Sequence, residues 1–477
     1  MDFKSYEIES SFYDEMFKVD GSPRAHCVEL HSTLTDLTQL ELSTMQERVT
    51  RSFYNEGITF IVYGDEAAGE RIIPIDCVPR VLANAEWRHI ESGLDQRLRA
   101  LNLFLEDVYN EARIIADGVI PVDVIRGCPQ YRIEMRGLSA PYGAWVAVCG
   151  TDLVRTNDGF RVLEDNLRVP SGVSYMIATR KAVKANLRNA YRRSQVLDVE
   201  HYGKLLLRTL RDIAPPGVSD PTIALLTPGV YNSAFYEHMF LASELDAELV
   251  EGRDLIVNDG YVYMRTTLGL RRVDVIYRRV DDDFIDPLVF RPDSYLGVPG
   301  LLHAYRLGNV TLANAPGTGV ADDKSVYAYV PDIIRYYLNE EPILANVQTN
   351  LCRQPEGLEY TLDNLENLVV KQVGGSGGYG MLIGPHATPE ERDAFAREIQ
   401  ADPANYISQP VLDLSRAPCL IDDEFEPRHV DLRPFILRGH ETRIVPGGLC
   451  RIALPRGSLV VNSSQGGGAK DIWVLPT

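Results

Sequence analysis

Leu368-Val-Val-Lys371-Gln-Val-Gly374-Gly375-Ser376-Gly377-Gly378-Tyr379-Gly380-Met381 is the stretch on which the reading of this chain turns. An apolar run of strand character ends in a lysine, crosses five glycines in seven residues, and resumes as a second apolar run. Glycines let several backbone N–H groups converge on one anion with no Cβ in the way, and a lysine just before them adds a point charge. The spacing is neither the GKS/GKT phosphate loop nor a GxGxxG turn opening a helix. A merely flexible loop is the alternative; with Lys371 on the strand before it, nucleotide phosphate binding is the better expectation.

Two hundred residues earlier stands Gly150-Thr-Asp152-Leu-Val, followed by Leu163-Glu164-Asp165-Asn166-Leu-Arg168-Val-Pro170-Ser-Gly172. Short apolar runs, 144–149 and 160–163, flank Thr156-Asn157-Asp158-Gly159, a turn signal, so a β-hairpin is predicted. Asp152 and Glu164 fall on its two arms, and Asn166 shares a side with Glu164 because strand side chains alternate. Two carboxylates and an amide oxygen suit Mg²⁺ bound jointly with ATP phosphates. A plain polar hairpin edge is the bland alternative. A third region carries Asp431-Leu-Arg433-Pro-Phe-Ile-Leu, Cys450-Arg451-Ile-Ala and Val461-Asn462-Ser463-Ser464-Gln465-Gly466-Gly467-Gly468, two arginines on strands and another polar glycine-rich loop.

Together these pieces resemble the ATP-grasp superfamily. Asp323-Lys324, Val370-Lys371 with the glycine loop, Tyr406-Ile407-Ser408-Gln409-Pro410-Val411, Asp431–Ile436 and the 462–467 loop follow that family's order. Its last element, GxDh…ExN, stands near position 150 instead of at the end. The permuted order resembles the circularly permuted ATP-grasp proteins (type 2) related to glutathionylspermidine synthase. The resemblance implies ATP and Mg²⁺ as cofactors, with Lys324 and Lys371 on the phosphates. Gly374, Gly375, Ser376, Gly377 and Gly378 would form the lid, and Gln409 and Val411 would lie at the adenine-side hinge. Asp152, Glu164 and Asn166 would hold Mg²⁺. Gly150 stands where many relatives carry an arginine, so the transition-state cation is sought among Arg433, Arg451 and Arg168. Pro410 removes one backbone donor from the hinge.

The resemblance also implies a mixed α/β architecture, a permuted ATP-grasp core with an additional small α/β domain. Residues 1–57 read as a helical segment and 58–215 as the first part of the core. Beyond the linker-like PPGVSDP, residues 216–310 read as a small α/β domain with a parallel sheet, and 311–477 as the rest of the core. A long amphipathic helix is expected over 91–115 and a basic one over 178–193, the latter presenting a solvated face or, as the lesser alternative, a phosphate or carboxylate contact. The run RRVDDDFIDP (278–287) reads as a solvated loop or a substrate-side contact, and Ser171, Gly172, Ser174 and Tyr175 as residues lining an acceptor site. His429 reads as a hydrogen-bonded structural histidine.

Composition narrows the partners. With 48 Lys+Arg against 67 Asp+Glu the formal charge is −19, which opposes a non-specific nucleic-acid surface. Hydrophobic residues at 45% and charged residues at 24% are ordinary for a globular protein. Seven cysteines without a CxxC pair indicate neither a disulfide framework nor a zinc site. An acidic, polar N-terminus and the lack of a ~20-residue apolar run argue against a signal peptide and a membrane span, so a cytoplasmic location is expected. The expected activity is ATP-dependent joining of a small carboxylate to an amine (peptide, amino acid or polyamine). A phosphotransferase that stops at phosphorylation and an inactive nucleotide-binding protein are the competing readings.

Overall fold

The computed structural model describes residues 3, 5–61, 70–375, 380–458, 461 and 467–476. Ser376, Gly377 and Gly378 of the glycine loop and residues 462–466 of the C-terminal loop lie outside these.

The hairpin forms as the sequence predicts. Val148–Thr156 pairs antiparallel with Gly159–Asn166, placing Asp152 opposite Glu164 and Gly150 opposite Asn166, with a register shift after Asp152. It lies inside a six-stranded sheet ordered Ala345–Asn346, Gly159–Asn166, Val148–Thr156, Phe435–Arg438, Thr442–Ile444, and Asp431–Leu432 also pairs with Val148–Thr156. The Asp431–Leu437 run is thereby brought against the acidic hairpin, 280 residues away in sequence, by backbone pairing alone.

The helix Asn84–Tyr109 covers one face of this sheet and lies several residues earlier than the expected 91–115. It stops where Asn110 leaves helical geometry and Ala112 adopts a left-handed conformation. From it, buried Arg97 grips Asp165 with Nε at 2.8 Å and Nη2 at 2.7 Å from Oδ2, and Thr151 Oγ1 donates to Asp165 Oδ1 at 3.1 Å. Side chains alternate along a strand, so fixing Asp165 toward the helix turns Glu164 and Asn166 to the opposite face.

A second, wholly antiparallel sheet runs Asn350–Leu351, Tyr406–Pro410, Leu368–Gln372, Met381–Ile383. It has its own core of Cys352, Leu365, Leu368, Val370, Leu382, Ile399 and Tyr406. The helix Pro389–Ala401 starts there on a capping box of Thr388 and Glu391.

The third unit is a parallel sheet ordered Thr311–Ala313, Val275–Arg278, Ile223–Leu226, Glu248–Val250. Leu255–Asn258, within the same 216–310 stretch, does not join the parallel sheet and pairs with Tyr261–Thr266 in an antiparallel meander. Asp259 and Gly260, at φ +50° and +77°, make the tight two-residue turn that imposes this. Just past the last parallel strand, buried Asn314 accepts from the Ala147 and Val148 N–H groups at 2.7 and 2.8 Å and donates to the Val148 and Leu167 carbonyls, both at 2.7 Å. One fully bonded amide therefore ties the parallel unit to both arms of the hairpin.

The chain closes on itself where Ile75–Leu82 pairs in parallel with Gly468–Val474. The basic stretch 178–193 is two helices, Val173–Asn186 and Arg188–Arg193, and its expected solvated face is interrupted: Arg180 is buried, its Nε 2.9 Å from each oxygen of Asp471. All seven cysteines are buried and free. Among the described residues no helix is long and apolar enough to cross a membrane.

Candidate functional site

The hairpin end, the 431–452 strands and the second sheet together position most of the residues singled out in the sequence. Asp152 is buried and receives the guanidinium fork of Arg433, Nε on Oδ1 and Nη2 on Oδ2 at 2.7 Å. Arg451 Nη2 donates to the same Oδ2 at 2.6 Å. Burial alone would raise the Asp152 carboxyl, but Arg433 and Arg451 outweigh it and hold it well below the usual carboxylate range. Arg451 is anchored from behind by Asp431, which accepts from its Nε at 2.7 Å and from its backbone N–H at 2.9 Å. Burial, with the Asp152 charge adding to it, lifts the Asp431 carboxyl above its ordinary value despite Arg451.

Glu164 is one-third exposed and lies 3.9 Å from Arg433 Nη2. Asn166 donates from Nδ2 to the Gly150 carbonyl at 3.1 Å, which turns its Oδ1 the other way. Gly150 has a spatial reason to be glycine: a Cβ there would stand 3.3 Å from Arg433 Cδ and 3.2 Å from Pro170 Cβ. The stem of Arg433 occupies the volume that a side chain at position 150 would fill.

The lysines are held more lightly. Lys371 donates from Nζ to Gln409 Oε1 at 2.9 Å, and Gln409 Nε2 donates to Thr349 Oγ1 at 3.0 Å. Lys324 Nζ reaches the carbonyl of Gly375 at the start of the glycine loop. Burial pulls the Lys371 ammonium down to about 8; nearby Glu164 opposes the shift and Lys324 adds to it. Gly374 and Gly375 lie beside these lysines, whereas Ser376, Gly377 and Gly378 fall outside the described residues. Val411 follows the strand that carries Gln409, its N–H 3.4 Å from the Asn367 carbonyl.

Arg168 is not brought to Asp152. Its Nε donates to Asp322 Oδ2 at 2.7 Å and its Nη1 lies 3.5 Å from Asp281 Oδ1. Burial raises Asp322 to about 6, with Arg168 opposing. The 278–287 run is not a solvated loop. Arg278, Arg279, Asp282 and Asp286 are buried, because Arg278 pairs with Asp282 at 2.7 Å and Asp286 accepts from the Gly300 and Leu302 N–H groups. Ser174 is likewise spent on structure rather than facing an acceptor site: Glu237 Oε2 takes its hydroxyl at 2.9 Å and the Gly172 N–H at 2.8 Å. Arg279 completes this clamp, donating to the Pro170 carbonyl at 2.7 Å and to Ser171 Oγ at 2.6 Å. Asp431, Glu237 and Asp322 were not among the sequence-predicted site residues; only Asp431 had a signal, its alternation with Arg433. His429 is structural, with Nδ1 2.8 Å from the Leu414 carbonyl and Nε2 3.4 Å from Arg416 Nε.

The donor set at the hairpin end fits a hard divalent cation. Among the described residues no three His, Cys, Asp or Glu side chains form a metal cluster. Two carboxylates and an amide oxygen supply too few ligands alone, and phosphate oxygens and water complete such a shell for Mg²⁺.

The model of the circularly permuted ATP-grasp type 2 family matches residues 79–453. An uncharacterized protein of Synechocystis sp. is 54% identical over 100% of this chain and 99% of its own length. A Frankia alni protein named as a candidate glutamate–cysteine ligase is 43% identical over 97% of this chain, which spans 54% of that longer protein. A solved glutathione synthetase-like effector from Globodera pallida, in its apo form, superposes at TM-score 0.56 with 10% identity, covering 92% of this chain and 98% of that one.

Proposed function

The chain belongs to the circularly permuted ATP-grasp type 2 family, and on that premise we propose that it is an ATP-dependent carboxylate–amine ligase working through an acyl phosphate. The observation that carries this reading is the convergence of Arg433 and Arg451 on Asp152, opposite Glu164, with Lys371 close enough to feel both carboxylates. Lys324 and Lys371 would bind the triphosphate, the glycine loop would cover it, and Gln409 and Val411 would lie toward the adenine. Asp152, Glu164 and Asn166 would hold Mg²⁺, which supplies charge neutralisation to the transferring phosphoryl group.

A carboxylate oxygen of the acid attacks the γ-phosphorus and ADP leaves. The amine then attacks the acyl carbon, and inorganic phosphate departs with the oxygen that came from the acid. Arg433 and Arg451 would neutralise the charge that builds on the phosphoryl oxygens. No nucleophilic side chain is required, in keeping with a site made of cations and hard oxygens. Arg168, bound to Asp322 and Asp281, would act at the substrate side rather than on the phosphoryl group. The acid and amine are small molecules (amino acid, peptide or polyamine, by analogy with glutathionylspermidine synthase), and the free cysteines suit a cytoplasmic setting.

Thermal-shift titration with Mg-ATP tests the site. Stabilisation of the wild type that is lost in Lys371→Ala and Glu164→Ala supports the assignment; unchanged stabilisation in both removes it. ADP release screened against amino acids, small peptides and polyamines then finds the acid and amine.

A further inference from the structure

Asp152 is the most heavily committed group of the proposed metal set. Oδ1 takes Arg433 Nε, and Oδ2 takes Arg433 Nη2 at 2.7 Å and Arg451 Nη2 at 2.6 Å. Glu164, the other carboxylate, already has a guanidinium nitrogen 3.9 Å away. Four cations (Arg433, Arg451, Lys324 and Lys371) and four carboxylates (Asp152, Glu164, Asp431 and Asp323) share this region. A divalent cation arriving alone meets no unpaired Asp152 oxygen, because the carboxylate it needs is occupied by two guanidiniums. A triphosphate arriving first meets the cations instead.

The two arginines are unequal. Arg451 is bound to Asp431 through side chain and backbone together. Among the described residues Arg433 has Asp152 as its one hydrogen-bonded carboxylate, with Glu164 at 3.9 Å, and its Nη1 lies 3.3 Å from the Ser171 carbonyl. Its stem lies over Gly150, where no side chain confines it.

We infer that Arg433 is an exchange cation: it neutralises Asp152 in the free protein and transfers to the nucleotide's phosphate, so that Asp152 accepts a divalent cation only once nucleotide is present. This inference rests on the site being the Mg-ATP pocket proposed above. It makes metal and nucleotide binding thermodynamically coupled, each strengthening the other by the same factor, with Arg433 as the physical link.

Mn²⁺ titration without nucleotide, followed by the electron paramagnetic resonance of the free ion, separates the possibilities. The Asp152→Asn/Glu164→Gln double variant reports the background of an acidic surface. Wild type is expected to bind no more Mn²⁺ than this background. Arg433→Met is expected to gain one site per chain, tighter than wild type by roughly 5- to 150-fold. Arg433→Lys, which keeps the charge but loses the fork, is expected to gain a weaker site and serves as the second variant should Arg433→Met not fold. A wild-type site per chain that disappears in the double variant overturns the inference, as does an absence of gain in both Arg433 variants. Equilibrium dialysis with a non-hydrolysable ATP analogue, with and without Mn²⁺, isolates the underlying reading. Nucleotide binding together with Mn²⁺ binding to the metal-only wild type defeats the exchange alone; no nucleotide binding under either condition defeats the pocket itself.

Discussion

The arginines and the lysines of the site are held in opposite ways. Arg433 and Arg451 end on carboxylates, and the Asp152–Arg451–Asp431 chain is buried and complete without a ligand. Lys371 and Lys324 end on an amide oxygen and a backbone carbonyl, neutral acceptors, with carboxylates near them but none hydrogen-bonded to either ammonium among the described residues. The difference teaches which cations are paired with carboxylates in the free protein and which are held only by neutral acceptors. Removing a cation from the first region leaves buried carboxylates stranded; removing one from the second relieves a burden and takes away a ligand contact.

The largest expected effect is therefore Arg451→Met. Breaking a buried ion network by deleting one partner costs about 3–5 kcal/mol, read as a lowered denaturant midpoint. A loss within experimental error would show that Asp152 and Asp431 have protonated or found other donors, and would erase the contrast. Next, Lys371→Met should leave folding stability unchanged or higher while Mg-ATP affinity falls. One charge-assisted contact is worth about 1.5–3 kcal/mol, or roughly 10- to 150-fold in Kd. Equal losses of stability and affinity would place Lys371 in the same class as the arginines.

A pH series sharpens the comparison further. Lys371 is held at about 8, below its ordinary 10.5. Between those values the unfolded chain carries the extra proton, so the cost of burying this lysine is full below pH 8 and is relieved as pH rises toward 10.5. Nucleotide binding runs the other way, because it needs the charged form. Mg-ATP affinity should fall above pH 8, by up to about tenfold per pH unit, and Lys371→Met should flatten the profile. The smallest expected effect is Thr349→Val, which removes the bond that orients Gln409 toward Lys371. A stability loss of about 0.5–1.5 kcal/mol is expected, with a modest rise in Kd for Mg-ATP.

What the sequence disclosed follows the same physical division. The hairpin, the strand Leu368–Gln372 that carries Lys371 and the Asp431–Leu432 strand just before Arg433 are short-range patterns, alternating or continuously apolar with turn residues between them, and they form where the sequence reading put strands. The grip of Arg433 and Arg451 on Asp152 joins residues about 280 to 300 positions apart; the motif order named all three for one pocket but did not foresee that the arginines would pair with Asp152. The Glu237–Arg279 clamp had no such help. Glu237 is one of two acids on the helix Phe235–Leu245, and Arg279 belongs to a charged run whose composition suggests solvent. Their burial is decided by the Pro170–Ser174 turn packing against the parallel sheet, a contact that no local period encodes. Arg180 is the same case, a basic helix residue taken inside by Asp471 from the far end of the chain.

Oxygen transfer tests the central claim most directly. Once the ADP-release screen has supplied an acid and an amine, the acid is prepared with ¹⁸O in its carboxylate and the released phosphate is examined by ³¹P NMR. Ligation through an acyl phosphate predicts one ¹⁸O in each inorganic phosphate, formed one-for-one with ADP and amide. Unlabelled phosphate, label appearing in AMP, or a phosphorylated substrate as the end product would contradict it.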